Sequence, residues 1–470
     1  MILTHRISEA VGLGEEERRQ IDDLIECFNY HQSKNIEKER YYEGHVTLGE
    51  VNLGIALPEG LRSLELGCEW GAKTVDVLAS RSMFDGFVGQ NGREAEAMTK
   101  IMDANRLKSE YAKACRDELK FGATYATLSA DPEIGCSIKF HSAKTAAAKW
   151  NGEKGRIDYG LAVIDTDRDP KSVSKNEPTV VNLYTESSIW VIRRVDKERW
   201  EAEEHPHRMG RPLMEPLIWN ATSAKPFGRS RLKKPIREMI KGYVRTIANA
   251  TIGLEFATSP QKYLLGITDE QYDKVINQKF RTYVGSLLAS TNNPETGEKP
   301  SFGQLSQGTL EPHVQMIRLL ATQFSAATGL TVTDTGVIND ANPTSSDAIL
   351  AQSQTLVLMA EQLNAGNGEA LRMIAMMAQA IAGNKALKDL TDDERSVVAH
   401  FKNPAMPSVS VTADAAIKIA SVRTEFAGTD TFLEMIGFDQ ADVRRIKAQE
   451  QRVRGQQILT EEFANVDISE

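Results

Sequence analysis

Through residues 15–42, Ile21, Leu24, Ile25 and Phe28 recur at three- and four-residue intervals against a charged opposite face. That spacing predicts one long amphipathic helix, with Gly44 in the place of a C-cap glycine. Residues 66–81 and 93–120 predict further helices. The pattern then changes. Between 121 and 218, YATLSA, CSIKF, YGLAVID, TVVNLYT and SIWVIRR are short β-branched or aromatic runs, punctuated by Asp, Gly, Pro and Asn. Such runs predict an antiparallel sheet.

The helical period returns at Leu232, with a stripe through Ile236, Met239, Tyr243, Ile247, Ala250 and Leu254. Lys234, Arg237, Lys241 and Arg245 step along another face, about 150° away at ~100° per residue. This helix is therefore expected to carry one apolar and one basic side. Residues 259–310 are mixed, with a turn-rich NNPETGEKPSFGQ. Glu311-Pro312 opens another helix, Pro standing at a permitted early position. Val314, Ile317, Leu320, Ala321 and Phe324 form its stripe, and Gly329 ends it.

Beyond Gly329 the periodicity stops for roughly fifteen residues, a length at which loops are uncommon in compact domains and usually functional or disordered. Thr344 is the expected N-cap of the next helix, with Asp347 at N3 as in a capping box. Ile349, Leu356 and Leu363 recur by sevens, and Leu371, Ile374, Ala378 and Ile381 follow. Together these predict one long helix, kinked or broken at the two glycines of the intervening NAGNG. A final helical region is expected from about 412 to 460.

Bulk properties narrow the chemistry. With 470 residues, 41% hydrophobic and 26% charged, the chain can bury a core in two to four domains. Its net charge of −9 opposes nonspecific binding to nucleic acid or anionic membranes. Cys27, Cys68, Cys115 and Cys136 lack metal-ligand spacing and suit a reducing compartment. No apolar run approaches the ~18–20 residues that span a bilayer, and MILTHRISEA lacks a signal-peptide apolar core.

Three motifs invite chemistry. GCEWGAKT (Gly67 to Thr74) nearly fits the phosphate-cradling G-x-x-x-x-G-K-[ST], but Ala72 stands at the second glycine and Trp70 falls inside the loop. With Asp165 ending LAVID as a metal-binding strand carboxylate, Lys73 and Thr74 would form a nucleotide-binding enzyme. The bland alternative is a helix through Trp70, Val75 and Leu78. HPHRMGRP (His205 to Pro212) places two histidines near carboxylates, as a divalent metal requires, yet its spacing fits a surface turn better. LEMIGFDQADVRRI (Leu433 to Ile446) reads as helix, glycine turn, helix. Its acidic residues offset Arg444, Arg445 and Lys447, so a plain helical hairpin fits better than a DNA reader. No catalytic or metal constellation can be nominated from spacing, and no cofactor is implied. The residues by themselves give an acidic, predominantly helical α+β protein.

Several stretches together resemble bacteriophage portal proteins of the Gp6-like group from tailed phages. They are the first helix closing on RYYEG, then VNLGIALPEGLRSLELGCEWGAKTVDVLASRSMFDGF, then CRDELKFGATYATLS. After these come FGRSRLKKPIREMIKGYVRTIANATIGLEFATSPQKYLLGI and QMIRLLATQFSAATGLTV. Their order covers nearly the whole chain. One departure is Lys262, where family members often place Arg.

The resemblance implies a portal fold with wing, stem, clip and crown, and no enzyme activity. By order along the chain, the wing occupies 1–228 and 346–407. The stem occupies 229–258 and 311–329, the clip 259–310 and the crown 408–470. The loop at 330–345 then corresponds to the tunnel loop, with Thr331, Thr333, Asp334, Asn339 and Asp340 near DNA. Lys234, Arg237, Lys241 and Arg245 would be a basic stem surface. The implied assembly is a ring, typically a dodecamer, at one capsid vertex, through which double-stranded DNA passes during packaging and ejection. Implied partners are the large terminase, an adaptor or head-completion protein, the major capsid protein and scaffold. Its place would be the virion, after assembly in host cytoplasm. Another virion neck or head-tail connector protein is the remaining structural alternative.

Overall fold

The period of the first forty residues folds as α1 (Glu15–Tyr42), with Ile21, Leu24, Ile25 and Phe28 buried. Three glutamates occupy its first turn, where the positive end of the helix dipole favours them. The computed structural model describes residues 2–47, 65–89, 96–172, 174–196, 199–258, 262–265, 297, 301–304, 309–337, 346–405, 409–438 and 440–466. Two compact units divide the chain, residues 1–404 and 405–470.

In the first unit, β1 (His45–Thr47) pairs antiparallel with β2 (Glu65–Gly67), and α2 (Trp70–Ala79) and β3 (Phe84–Val88) follow. The helix expected over 66–81 therefore begins four residues late, after a strand. The helix expected over 93–120 is two, α3 (Glu96–Ala104) and α4 (Leu107–Phe121), separated at Arg106 with φ 51°. That left-handed residue breaks the helical hydrogen-bond ladder.

The expected antiparallel sheet is present as two sheets. β4 (Ala123–Asp131) and β5 (Gly135–Ser142) are followed by β6 (Ala146–Asn151), β7 (Arg156–Thr166), β8 (Pro178–Tyr184) and β9 (Ser188–Arg194). β10 (Trp200–Pro206) and β11 (Met214–Ile218) complete them. One sheet has order β10-β9-β8-β7-β6 and the other β11-β4-β5, every pairing antiparallel. Residues 3–28 pack on one face of the larger sheet, with Leu161, Val163, Val181, Leu183 and Ile192 enclosed between. Alternate residues of the same strands, such as Ala162 and Tyr184, join the main core on the other side.

α5 (Lys234–Thr258) and α6 (Glu311–Thr328) pack together, with β12 (Lys262–Leu265) and β13 (Ser301–Gln304) paired between them in sequence. α6 carries Pro at its start and ends on Gly329 at φ 74°, as expected. The expected single long helix is present as α7 (Ser346–Ala382), and it is not broken at Gly366 and Gly368. The Asn367 amide between the two glycines bonds the Tyr111 hydroxyl (3.0 Å) and the Glu118 carboxyl (2.7 Å), pinning the helix there. The short α8 (Asp392–Arg395) begins with a capping box at Thr391, and β14 (Val398–Phe401) pairs with β3. Thr344 lies outside the described residues.

The second unit contains α9 (Val409–Val422), α10 (Asp430–Ile436) and α11 (Gln440–Val466). The helical region expected from about 412 to 460 is made of these three helices. Gly437, at φ 107°, turns the chain between α10 and α11, giving the plain hairpin read from LEMIGFDQADVRRI.

Candidate functional site

The strongest convergence of side chains lies at the root of the loop after α6. Trp70, on the first turn of α2, is buried between Tyr243 of α5 and Phe324 of α6, with ring centroids 4.4 and 4.6 Å away. Its indole N–H donates to the carbonyl of Thr335 at 3.1 Å. A buried indole needs such a partner, and here the partner belongs to the loop. Thr333–Thr335 form a 3-10 turn closed by Gly336 at φ 78°. The Thr331 amide and hydroxyl both donate to one Asp334 carboxylate oxygen at 2.8 Å. The first half of the loop is thus a self-bonded turn tied to α2.

Arg231 fixes the same root from another side. Its Nε donates to Thr74 O at 2.6 Å and an Nη to Thr328 O at 2.7 Å. Thr328 is the last residue of α6, so the guanidinium meets the negative end of that helix. Burial lowers the Arg231 pKa to about 10. The segment carrying it is latched by Ser230, whose hydroxyl donates to Lys120 O at 2.6 Å. Gly228 has φ 63°, and a Cβ there would meet Trp219 O at 2.1 Å. FGRSR is therefore a structural latch that starts α5 and holds the end of α6.

Of the tunnel-loop residues expected from the sequence, Thr331 and Asp334 are bonded to each other and Thr333 is exposed. Asn339 and Asp340 lie outside the described residues. The basic residues of α5 do not form one free stripe. Arg237 pairs with Glu37 at 3.3 Å and Lys241 with Glu238 at 3.4 Å. The Tyr41 hydroxyl, followed by the charge of Glu238, raises the Lys241 pKa against burial. Lys234 and Arg245 are exposed and have no ion pair among the described residues.

The nucleotide-binding alternative fails on geometry. β2 pairs antiparallel in a two-stranded sheet, and the helix begins at Trp70, inside what would be the phosphate loop. The Thr74 hydroxyl donates to Trp70 O within the helix, and Asp165 pairs with Arg168 on β7's side. No hydrogen bond or ion pair joins Lys73, Thr74 and Asp165. Gly71 serves a close backbone approach instead: a Cβ there would lie 1.9 Å from Tyr41 O. Gly71→Ala is expected to destabilise the full chain by more than about 2 kcal/mol in urea unfolding. Gly67→Ala, where no atom lies within 4 Å of the added Cβ, is the control expected to be near neutral.

HPHRMGRP opens as the end of edge strand β10 rather than as a turn. His205 approaches Glu203 at 3.7 Å, and no group of three potential metal ligands occurs among the described residues. The four cysteines are free, and no described helix is long and apolar enough to cross a membrane.

Sequence reasoning missed the roles of Trp70, Arg231, Glu118 and Asn367. FGRSR, with Gly at a forced turn beside two arginines, was the available signal for Arg231.

A family model described as "Phage portal protein, SPP1 Gp6-like" matches residues 21–456. No curated protein sequence matches the chain. Among solved structures, a chain from "Virion of native gene transfer agent (GTA) particle" is similar at 11% identity and TM-score 0.45, covering 78% of this chain and 89% of that one. A chain from "Neck of empty GTA particle computed with C6 symmetry" is similar at 10% identity and TM-score 0.44, covering 75% and 85% respectively.

Proposed function

From the premise that this chain belongs to the SPP1 Gp6-like phage portal proteins, we propose that it forms a ring, a dodecamer, at one vertex of a virion capsid and conducts double-stranded DNA. The family match across residues 21–456 carries this reading. Exposed apolar residues on the α5–α6 pair support the ring: Leu254, Val314, Met316 and Leu319 are 40–51% exposed in the single chain. Neighbouring copies covering them would remove that surface from water.

In this reading the wing comprises 1–228 and 346–407, the stem 229–258 and 311–329, the clip 259–310 and the crown 408–470. Residues 330–345 line the channel. DNA carries one charge per ~1.7 Å of axis, and each neutralising cation adds salt-sensitive affinity. Repeated around a ring, such contacts would hold the duplex. Residues 329–346 contain no Lys or Arg and carry Asp334 and Asp340, which suits sliding. The ordered turn at Thr331–Gly336 would hold the loop root while its distal part lies near DNA. The Lys234, Arg237, Lys241 and Arg245 face would meet DNA or an acidic capsid surface.

The role is structural: ATP hydrolysis belongs to the large terminase docked on the clip during packaging. An adaptor or head-completion protein later takes that end, and scaffold and major capsid protein meet the outer surface. Reconstruction of the intact virion is expected to show the chain as a ring at a single vertex, with Thr331–Val337 toward the lumen. A chain elsewhere in the particle, or that segment pointing outward, would sink the proposal.

A further inference from the structure

The cations at the start of α5 are not isolated. They face a second group on α1 across a cleft of about 440 Å³. Lys34 and Lys38 line it from α1, and Arg229, Lys233, Lys234 and Arg237 line it from the latch and the beginning of α5. No lining residue is acidic; Glu37 reaches Arg237 from outside the lining. In a chain of net charge −9, this is a local concentration of positive charge. Phe28, Phe121 and Phe227 supply apolar wall.

Two local arrangements conflict with ordinary stability rules. α5 is a 25-residue helix with no acidic residue in its first turn; Lys234 and Arg237 stand there instead. Cations at the positive end of a helix dipole are unfavourable, whereas an anion at that end is favoured by both the dipole and the side chains. Lys38 is also held in place, donating to Asn35 Oδ1 at 3.2 Å and Phe121 O at 3.0 Å. Burial, then the charges of Arg237 and Lys34, lowers its pKa to about 8. Burial and the charges of Lys34 and Lys38 lower His31 as well. Burial is the larger cause in both, and neighbouring cations add to it; Glu37, which pairs with Arg237 and opposes the shift at Lys38, is the one carboxylate acting there among the described residues. Local conflicts of this kind are expected at functional sites.

We infer that the α1–α5 cleft is a binding site for a small phosphate-bearing anion. Phosphate oxygens accept from several Lys and Arg donors at once, and Lys and Arg offer donors only. A concave site of this volume admits a diphosphate but not a duplex. The site requires neither a ring nor the loop at 330–345, but it shares Lys234 and Arg237 with the basic face proposed above.

The probe is inorganic pyrophosphate with the full chain, read by mass spectrometry of Lys38 acylation with an amine-reactive ester near pH 8. Bound anion favours the protonated ammonium and covers it, so labelling of Lys38 is expected to slow saturably with pyrophosphate. Labelling of a remote lysine such as Lys388 is expected to be unchanged. Lys34→Gln/Lys233→Gln removes two exposed cations without touching the core and is expected to weaken protection roughly tenfold or more. Unchanged protection in that variant overturns the site. Equal slowing by sodium chloride at matched ionic strength leaves screening only, and also overturns it. Protection by a short DNA duplex but not by pyrophosphate would overturn the small-anion assignment in favour of backbone phosphates.

Discussion

Trp70→Ala is expected to destabilise the full chain by about 3–5 kcal/mol, the range for removing a large buried aromatic. The indole lies between Tyr243 and Phe324, so its loss opens a cavity where α2, α5 and α6 meet. It also leaves Thr335 O without its donor. Trp70→Phe separates the two contributions. A phenyl ring keeps most of the packing but has no N–H, so the hydrogen-bond component, about 1 kcal/mol, is lost. Urea unfolding measures the totals, and amide exchange locates them. Phe at 70 should speed exchange at Asp334–Gly336 far more than in α1. A loss under about 1 kcal/mol for the alanine variant, or uniform exchange in the phenylalanine variant, would show that Trp70 does not secure the loop root. If residues 330–345 line a DNA channel, the phenylalanine variant should also impair packaging without preventing assembly.

What could be read from the sequence depended on how simply an element is buried. α1 rests one face on a sheet and leaves the other in water, so its 3.6-residue period gave both its limits and its buried side. α5 was legible in part: Leu232 and Ile236 of the expected stripe are buried and Met239 and Tyr243 pack against the core, but Ile240, Val244 and Ala248 are buried too and Leu254 is 49% exposed. A helix with apolar residues on more than one side has no unique stripe to follow. β10 was hidden for a related reason. Glu201, Glu203, Glu204 and His205 are exposed on an edge strand, so no alternation marks it. The glycines at 366 and 368 suggested a break because the contacts that stabilise that turn lie elsewhere in the chain. Asn367 meets Glu118 across 249 residues, Arg231 meets Thr328 across 97, and Trp70 meets Thr335 across 265. Period and spacing record local neighbours only, so such convergence required the fold.

The second large effect is a pH dependence at Glu118. Its carboxyl is fully buried between α4 and α7, accepts from Asn367 Nδ2 at 2.7 Å, and has its other oxygen without a partner. Burial pushes its pKa up to about 8, opposed only by the Asn367 bond. The neighbouring Tyr111 hydroxyl and Cys115 thiol are pushed upward as well, chiefly by burial, and no cation acts on the carboxyl. At neutral pH the folded chain therefore keeps this proton, which turns an orphan acceptor into a donor. The unfolded chain loses it in the ordinary carboxylate range. Below that range both states are protonated and the group is neutral to stability. As pH rises from there to about 8 the unfolded state binds fewer protons, so stability falls, at up to about 1.4 kcal/mol per pH unit. Above the folded pKa both states are ionised and the penalty is constant. Glu118→Gln has nearly the same shape and no proton to lose. Subtracting its urea-unfolding free energies from those of the native sequence at pH 5, 6, 7 and 8 cancels every other titrating group. The difference is expected to move in favour of glutamine by roughly 2 kcal/mol or more across that window. A difference independent of pH would mean that Glu118 is ionised in the fold, and the buried carboxyl would then need a counter-charge that the described residues do not supply.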